Sequence, residues 1–563
     1  MLENMTLNKL KTLSIQQLDS LAEEIREYIL KVVSTNGGHL ASNLGMVELT
    51  IAIHKVFNAP FDKIIFDVSH QCYAHKILTG RYDEFQNLRK LNGISGFTKY
   101  SESEFDAFEA GHSSTAISAG LGYLEAKKNF DESIGHVVAI VGDASIFNGL
   151  SFEALNYLTN NPNQKMIIIL NDNEMGISKN IPTFDKSNLF TTLGFEYYGI
   201  IDGHDILEVS RYLEMSKTCK KSVVIHVKTQ KGKGFLPAEL DELGLWHGVN
   251  KFDLENKSLV TEDGKTSYGK VLAKHLISLV KNDDANKFIR VITPAMMLGS
   301  GLEEFFTECP NNFIDVGLAE ENACLMAASM AHSGLIPIVF CYSTFLQRGY
   351  DQLVHDIART KEHVVICIDH AGIVSNDGDT HQGIFDLGYL YSIPNITILS
   401  PYDASSAISM LDYAINEIDG PVVIRYSKEK IDNSIIINKF NPIWLKYGNS
   451  NNIIITYGVL FDETIKFINE NNINVSVVNA LTINPLDVKM LNEIKKSNLF
   501  VYEEVYKNGS LGDRIMSYYN DLNIQVNLKK ISLNDTFLEV GSRSELLEKY
   551  HISLKDLMKA IGD

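Results

Sequence analysis

Three consecutive α/β domains with mainly parallel sheets are the fold class that this sequence predicts, and three observations carry the prediction. The chain has 563 residues, too many for one core on a prior of roughly 150 residues per domain. Short apolar runs rich in Val and Ile alternate with helix-patterned segments, which is the signature of βαβ units. Two polar stretches, KFDLENKSLVTEDGKTS at 251–267 and an Asn-rich segment at 427–452, interrupt that alternation. Together they divide the chain into 1–250, 266–430 and 440–563.

In the first domain HVVAIVG, KMIIILND and SVVIHVKT, all within 136–230, read as buried parallel strands, because continuous β-branched runs suit a sheet covered on both faces. Between the first two, Leu150, Ala154, Leu155 and Leu158 recur at helical spacing. The second domain repeats the alternation with FIRVITP, PIVFCYS, HVVICIDH, ITILSP and PVVIRYS, although no close internal sequence repeat accompanies it. The third, smaller and poorer in candidate site residues, carries NIIITYG, NVSVVNA and LFVYEEV.

Composition narrows the function. Hydrophobic residues at 45% and charged residues at 21% are ordinary for a globular chain. A formal charge of −19, from 51 basic and 70 acidic residues, disfavours nonspecific binding to nucleic acid or to an anionic membrane. Anionic ligands would need a local positive pocket. Six cysteines without CxxC spacing indicate neither a zinc site nor a disulfide framework and fit a reducing compartment. The first residues, MLENMTLNKLKTL, hold no continuous apolar segment, and no stretch approaches the roughly 20 apolar residues of a membrane span. A cytoplasmic protein without nucleic-acid or membrane partners is expected.

One stretch raises a chemical question: HVVAIVGDASIFNGLSFEAL ends a buried strand on Gly142-Asp143. The carboxyl ends of strands are where open α/β sheets place ligands. A second strand ends at NDNEM, so a single crossover helix would set Asp143 and Asn173 side by side as hard oxygen donors suited to Mg2+ and a phosphate ligand. Read alone, Asp143 could equally cap the following helix and Asn173 sit in a turn.

The string GD, a helix and NDN resembles the thiamine diphosphate signature GDG…NDN, with Ala144 at the second Gly. Around it GGHLASNLG (37–45), DVSHQCYAHKILTGR (67–81), AGHSSTAISAG (110–120), NDNEMGIS (171–178), DVGLAEENA (315–323), YSTFLQRGYDQLVHD (342–356), AGIVSNDGDTHQGIFDL (371–387) and EEV (503–505) occur in one order. That order resembles the 1-deoxy-D-xylulose-5-phosphate synthase family, within the larger transketolase group, over nearly the full length. The resemblance implies the transketolase-like thiamine diphosphate-binding fold, with a diphosphate-binding, a pyrimidine-binding and a C-terminal domain in that order, and a homodimer.

It also implies roles. Thiamine diphosphate needs its thiazolium C2 deprotonated, which its own 4′-imino group does once a carboxyl group hydrogen-bonds N1′ of the pyrimidine; Glu320 matches that acid. Phe345 would stack on the pyrimidine. Gly111, His112 and Ser113, with Ala144, Ser145 and Phe235, would contact the diphosphate side, and the Met175 carbonyl would join Asp143 and Asn173 around Mg2+. His39, His70 and His381 match active-site histidines, His70 also touching cofactor, since imidazole titrates where proton transfer is useful. Tyr342, Arg348 and Asp377 match the acceptor pocket. Each could instead be an ordinary packing or hydrogen-bonding residue; only the motifs single them out.

Some positions depart from the family pattern. His370 and Lys428 stand where two phosphate-binding arginines are usual, Ser69 replaces the Gly of DVGHQ, and Glu321-Asn322 replaces Gln-His. The segment from Ser178 to Leu193 is much shorter than the family's covering loop, so weaker shielding from water is expected. The reading that follows is an enzyme that decarboxylates pyruvate and transfers the two-carbon unit to D-glyceraldehyde 3-phosphate, in isoprenoid precursor synthesis. A paralogue or transketolase with another aldehyde acceptor, and a catalytically silent homologue, are the alternatives.

Overall fold

The computed structural model describes residues 1–177, 185–260, 264–282, 284–436 and 439–562. Two compact units, Met1–Thr261 and Glu262–Asp563, make up the chain.

The first unit is built on a five-stranded sheet. Its strands are β1 (Lys63–Phe66), β2 (Val137–Gly142), β3 (Ile167–Asp172), β4 (Glu196–Asp202) and β5 (Val223–Lys228), in the order β1-β2-β3-β5-β4 and parallel throughout. The two-residue period of a strand decides the packing. Val138 and Ile140 of β2 enter one apolar cluster with helices α1 (Ile15–Asn36) and α2 (Val47–Val56). Val137, Ala139 and Val141 enter another on the opposite face, with α3 (Ala116–Asn129) and α4 (Gly149–Asn160). Burial on both faces is why these strands read as unbroken Val/Ile runs. Helix α1 starts at a capping box, in which Ser14 and Gln17 satisfy each other's backbone N–H groups.

Helix α4 is the crossover between β2 and β3, and Gly142 pairs in register with Asn171. Asp143 and Asn173, the residues that follow those strands, are thereby brought to one edge of the sheet, as the alternation predicts.

Among the described residues the second unit holds a larger and a smaller sheet, besides a two-residue ladder that pairs Lys265–Thr266 with Ile431–Asp432. In the larger, β6 (Ile289–Thr293), β7 (Phe313–Asp315), β8 (Ile336–Tyr342), β9 (Val365–Asp369), β10 (Thr397–Leu399) and β11 (Val422–Arg425) run parallel. The smaller is formed by β12 (Leu445–Tyr447), β13 (Asn452–Thr456), β14 (Ser476–Asn479), β16 (Asn498–Tyr506) and β17 (Asn527–Leu533). A short strand, β15 (Thr482–Asn484), leaves that region and adds antiparallel to β10, completing the seven-stranded order β7-β6-β8-β9-β11-β10-β15. One apolar cluster joins Ile366 and Ile398 to Ile453 and Val501. This shared core makes the predicted second and third domains one compact unit. The architecture is α/β with mainly parallel sheets.

Under β11, the Arg425 Nε donates to Asp386 Oδ2 at 2.7 Å, with both residues buried and the guanidinium 5.7 Å from the Tyr457 ring centre. Breaking one side of such a pair leaves an uncompensated charge, at a cost of about 3–5 kcal/mol. Asp386→Ala should therefore lower the stability of the second unit by about that much, and Asp386→Leu/Arg425→Met by much less. The chain has two tryptophans, so urea unfolding followed at Trp444 in a Trp246→Phe background reads the second unit directly.

Candidate functional site

In the first unit the buried Asp143 stands just past β2. Its Oδ1 accepts from the Ala144 N–H and its Oδ2 from the Asn173 N–H, both at 2.9 Å. Asn173 Oδ1 in turn accepts from the Met175 N–H at 3.1 Å, which is the turn role, and the carboxamide oxygen keeps a second lone pair. Burial, reinforced by the neighbouring Asp172, pushes the Asp143 carboxyl above the ordinary range. Asp172 goes the other way because His226 and Lys186 bind it. No cluster of three or more His, Cys, Asp or Glu side chains with metal-binding geometry occurs among the described residues. A cation here would be held by one carboxylate, a carboxamide and backbone oxygen, a donor set suited to a hard ion that keeps water and phosphate ligands.

The Gly111-His112-Ser113 loop is tied to this edge. Ser114 N donates to Asp67 Oδ1 at 2.6 Å, and Ser114 Oγ to the Ser145 carbonyl at 3.1 Å. Ser145 O also accepts from Ser151 Oγ at 2.7 Å. The loop before α3 and the Ala144-Ser145 turn are therefore one hydrogen-bonded surface. Phe235 differs: its buried ring packs on Trp246, at 5.0 Å between ring centres, and on Phe252, so it belongs to the aromatic core behind the loop. In the separate loop that precedes Phe235, Gly232, at φ +79°, approaches the Ala238 backbone so closely that a Cβ would lie 2.5 Å from it.

His39 and His70 meet with ring centres 5.2 Å apart. The sequence reading missed a third imidazole, His247, at 5.5 Å from His39 and 5.1 Å from His70. Antiparallel pairing of Gly38 with Val249 and His39 with Gly248 brings it there. Burial, helped by the Lys231 ammonium, pushes His70 down to about 3 and His247 well below its ordinary value. Both are neutral at pH 7. His70 Nδ1 is buried without a hydrogen-bond partner among the described residues. Lys231 was also missed: buried, with its own pKa lowered to about 8 by that burial, it donates to the Gly176 and Ile177 carbonyls at 3.0 and 2.9 Å. It ties down the turn that follows Met175.

Ser69 explains its own departure from the family pattern. It sits at φ +65° after Val68 at +57°, where glycine is normally favoured, but its Oγ accepts from the Thr98 N–H at 3.0 Å. Of the shortened segment, 178–184 lies outside the described residues. The remainder forms a helix, Lys186–Thr192, whose Lys186 pairs with Asp172.

In the second unit Glu320 begins the helix Glu320–His332. It is 4% exposed, and its Oε2 has no hydrogen-bond partner among the described residues. Burial raises its pKa, opposed by Arg348, whose Nη1 lies 3.8 Å away. Glu321 is half-buried and Asn322 exposed. Phe345 stacks on Tyr342 at 5.5 Å and meets His381 edge-on at 5.4 Å. The other face of the pocket is charged. His370 stacks on Tyr342 at 3.7 Å, its Nδ1 lies 2.9 Å from Asp369 Oδ1, and its Nε2 lies 4.0 Å from Asp377 Oδ2. Lys428 Nζ is bound to the same Asp377 oxygen. The second unit thus links Tyr342, Phe345, His381, His370, Asp377 and Lys428 through ring and ion-pair contacts, and pairs Glu320 with Arg348 separately.

A raised carboxylate has a stability consequence. The folded pKa of Asp143 exceeds its ordinary value, so its ionisation costs the fold stability as pH rises from about 4 through neutrality. Asp143→Asn removes that cost. In chelator-treated protein the variant should unfold a few degrees above wild type at pH 8, with the gap closing at pH 4, as scanning calorimetry would show.

The sequence matches the family described as 1-deoxy-D-xylulose-5-phosphate synthase over residues 2–187 and 182–229. It also matches the transketolase pyrimidine-binding domain over 264–433 and the transketolase C-terminal domain over 446–557. A 1-deoxy-D-xylulose-5-phosphate synthase of Listeria monocytogenes is 41% identical over 588 residues, covering 98% of this chain and 95% of its own. That of Macrococcus caseolyticus is 38% identical over 614 residues, covering 98% and 97%. Among solved structures, a Campylobacter jejuni transketolase is 18% identical, with a TM-score of 0.44 over 98% of this chain and 100% of its own. With full-length relatives at this identity, the chain belongs to the 1-deoxy-D-xylulose-5-phosphate synthase family of thiamine diphosphate-dependent transferases.

Proposed function

We propose that this chain, as a homodimer with thiamine diphosphate and Mg2+, decarboxylates pyruvate and transfers the two-carbon unit to D-glyceraldehyde 3-phosphate. The products are 1-deoxy-D-xylulose 5-phosphate and CO2, the former feeding isoprenoid precursor, thiamine and pyridoxal synthesis. The observation that carries the reading is Glu320: a buried carboxyl group, biased towards its protonated form, with an oxygen that accepts no hydrogen bond among the described residues. Such a group is costly to keep unless a ligand completes it.

When bound, thiamine diphosphate supplies a nucleophilic carbon and an electron sink for loss of CO2 from a 2-oxo acid. Glu320 would hold a proton at its carboxyl towards pyrimidine N1′, with Arg348 limiting how far burial raises its pKa. Phe345 would stack on the pyrimidine and orient it. Asp143, Asn173 and the Met175 carbonyl would take Mg2+, and the Gly111–Ser113 and Ala144-Ser145 turns would donate to diphosphate oxygens. His70, held neutral by burial, can accept or return a proton without first losing one to water, and His39 would serve beside it. His381, at the Phe345 edge, would do the same for the acceptor, which Tyr342, Arg348, Asp377, His370 and Lys428 surround.

Mass spectrometry of products from pyruvate plus D-glyceraldehyde 3-phosphate tests the reaction; a product other than 1-deoxy-D-xylulose 5-phosphate would overturn it. Glu320→Gln should lower turnover by orders of magnitude while keeping cofactor affinity. Asp143→Ala should instead weaken Mg2+ and thiamine diphosphate binding together in calorimetry, because Asp143 would hold the ion whose charge the diphosphate needs.

One geometric fact favours a second reading, in which the acceptor differs. Lys428 and His370 already face Asp377 and Asp369, whereas a bidentate arginine contact to phosphate would add roughly 1.5–3 kcal/mol. His370→Arg/Lys428→Arg should therefore lower KM at least about tenfold for D-glyceraldehyde 3-phosphate and leave that for unphosphorylated glyceraldehyde unchanged. Wild-type preference for the unphosphorylated aldehyde would support the second reading.

A further inference from the structure

We infer that Asn43 is a positioning residue that sets His39 and His70 against each other. The inference rests on the reading that these two histidines serve the reaction. Neither stands on a long regular element. His39 ends a two-residue strand, Gly38–His39, and His70 follows two residues in left-handed conformation, Val68 and Ser69. Their mutual geometry needs another source.

Asn43 provides it. The side chain is fully buried, in the short helix Ala41–Gly45. Its Nδ2 donates to the carbonyl of His39 and to the carbonyl of His70, each at 2.7 Å. Its Oδ1 accepts from the Tyr73 N–H at 2.9 Å. The Tyr73 hydroxyl, in turn, accepts from the His39 N–H at 3.1 Å. Asn43, His39 and Tyr73 therefore close a ring of hydrogen bonds, and the second Nδ2 hydrogen extends it to His70.

Only a carboxamide of this length has two hydrogens on one atom for two carbonyls and an oxygen for the amide. Aspartate has the same shape, but it would point a carboxylate oxygen at both carbonyls. A bracket holding two imidazoles 5.2 Å apart acts on rate, because misplacement by about 1 Å can cost on the order of 100-fold.

The test is a double-mutant cycle on the holoenzyme with Asn43→Ala and His70→Ala, repeated with Asn43→Asp in case the alanine variant does not fold. Asn43→Ala should lower kcat about 10–100-fold with KM for pyruvate and thiamine diphosphate affinity within about threefold of wild type. Hydrogen–deuterium exchange at the cofactor C2, which depends on Glu320, should be unchanged. In the His70→Ala background the same substitution should add less than about threefold. In cofactor-free protein the His39 and His70 imidazole resonances should shift in Asn43→Asp.

Full additivity in the cycle, or wild-type turnover in both Asn43 variants beside impaired His70→Ala, overturns the inference alone. Wild-type turnover in His39→Ala and His70→Ala overturns the reading beneath it and the inference with it.

Discussion

A carboxylate held out of water at the end of a buried parallel strand is the constraint on which the first unit depends. Parallel strands covered on both faces leave their carboxyl ends as the place where polar chemistry can be concentrated. Asp143 occupies such an end, and its neighbour across the ladder supplies a second acid, Asp172. The two are handled differently. His226 and Lys186 keep Asp172 ionised, which makes ionisation of Asp143 harder. The backbone N–H groups of Ala144 and Asn173 offset part of that cost, and a divalent cation would offset the rest. Structural order and ligand demand thus have one origin: the acid that pulls the Asn173 turn into place also makes the empty fold less comfortable.

The same logic runs through the histidines with the sign reversed. Burial beside Lys231 holds His70 and His247 neutral, so the cluster places proton acceptors near one another without adding cations. Behind it a buried relay locks the helix Tyr73–Leu78. His54 Nε2 lies 2.9 Å from His75 Nδ1, His75 Nε2 lies 2.9 Å from Asp106 Oδ1, and Arg81 clasps Asp106 at 2.7 and 2.8 Å. Asp106 immediately precedes the stretch that leads to Gly111 and His112. One ion-paired acid therefore fixes both the segment after His70 and the approach to the diphosphate loop.

Much of this was legible in the sequence because the physics is local. Val137–Val141 and Ile167–Leu170 announce doubly covered strands, and the residues that end them announce the site. What escaped is what depends on distant partners. β17 reads as a polar segment, NLKKISL, since its first half alternates exposed and half-buried residues. β15 has only three residues, and its pairing with β10 is visible only in the fold. His247 lies in LWHGVN, which has no periodicity of its own, and a two-residue ladder delivers it. Lys231, in KGKG, reads as a solvated charge until the loop closes over it. Glu320 was marked by its motif, yet the feature that gives it chemical meaning, a buried oxygen that accepts no hydrogen bond among the described residues, belongs to packing alone.

The acceptor side shows how a substitution changes the kind of interaction as well as its strength. An arginine fork would present a permanent cation with hydrogens to spare for a phosphate. Here the shorter His370 ring lies flat on Tyr342, turned towards Asp369 and still 4.0 Å from Asp377. Lys428 becomes the strong partner of Asp377. A phosphate held here, as proposed, would meet a Lys428 ammonium already engaged with Asp377, so binding would exchange one ion pair for another. On that reading such an exchange would yield less than filling a vacant cationic site. Acceptor affinity would then be set by how readily the aldehyde's phosphate draws Lys428 away from Asp377.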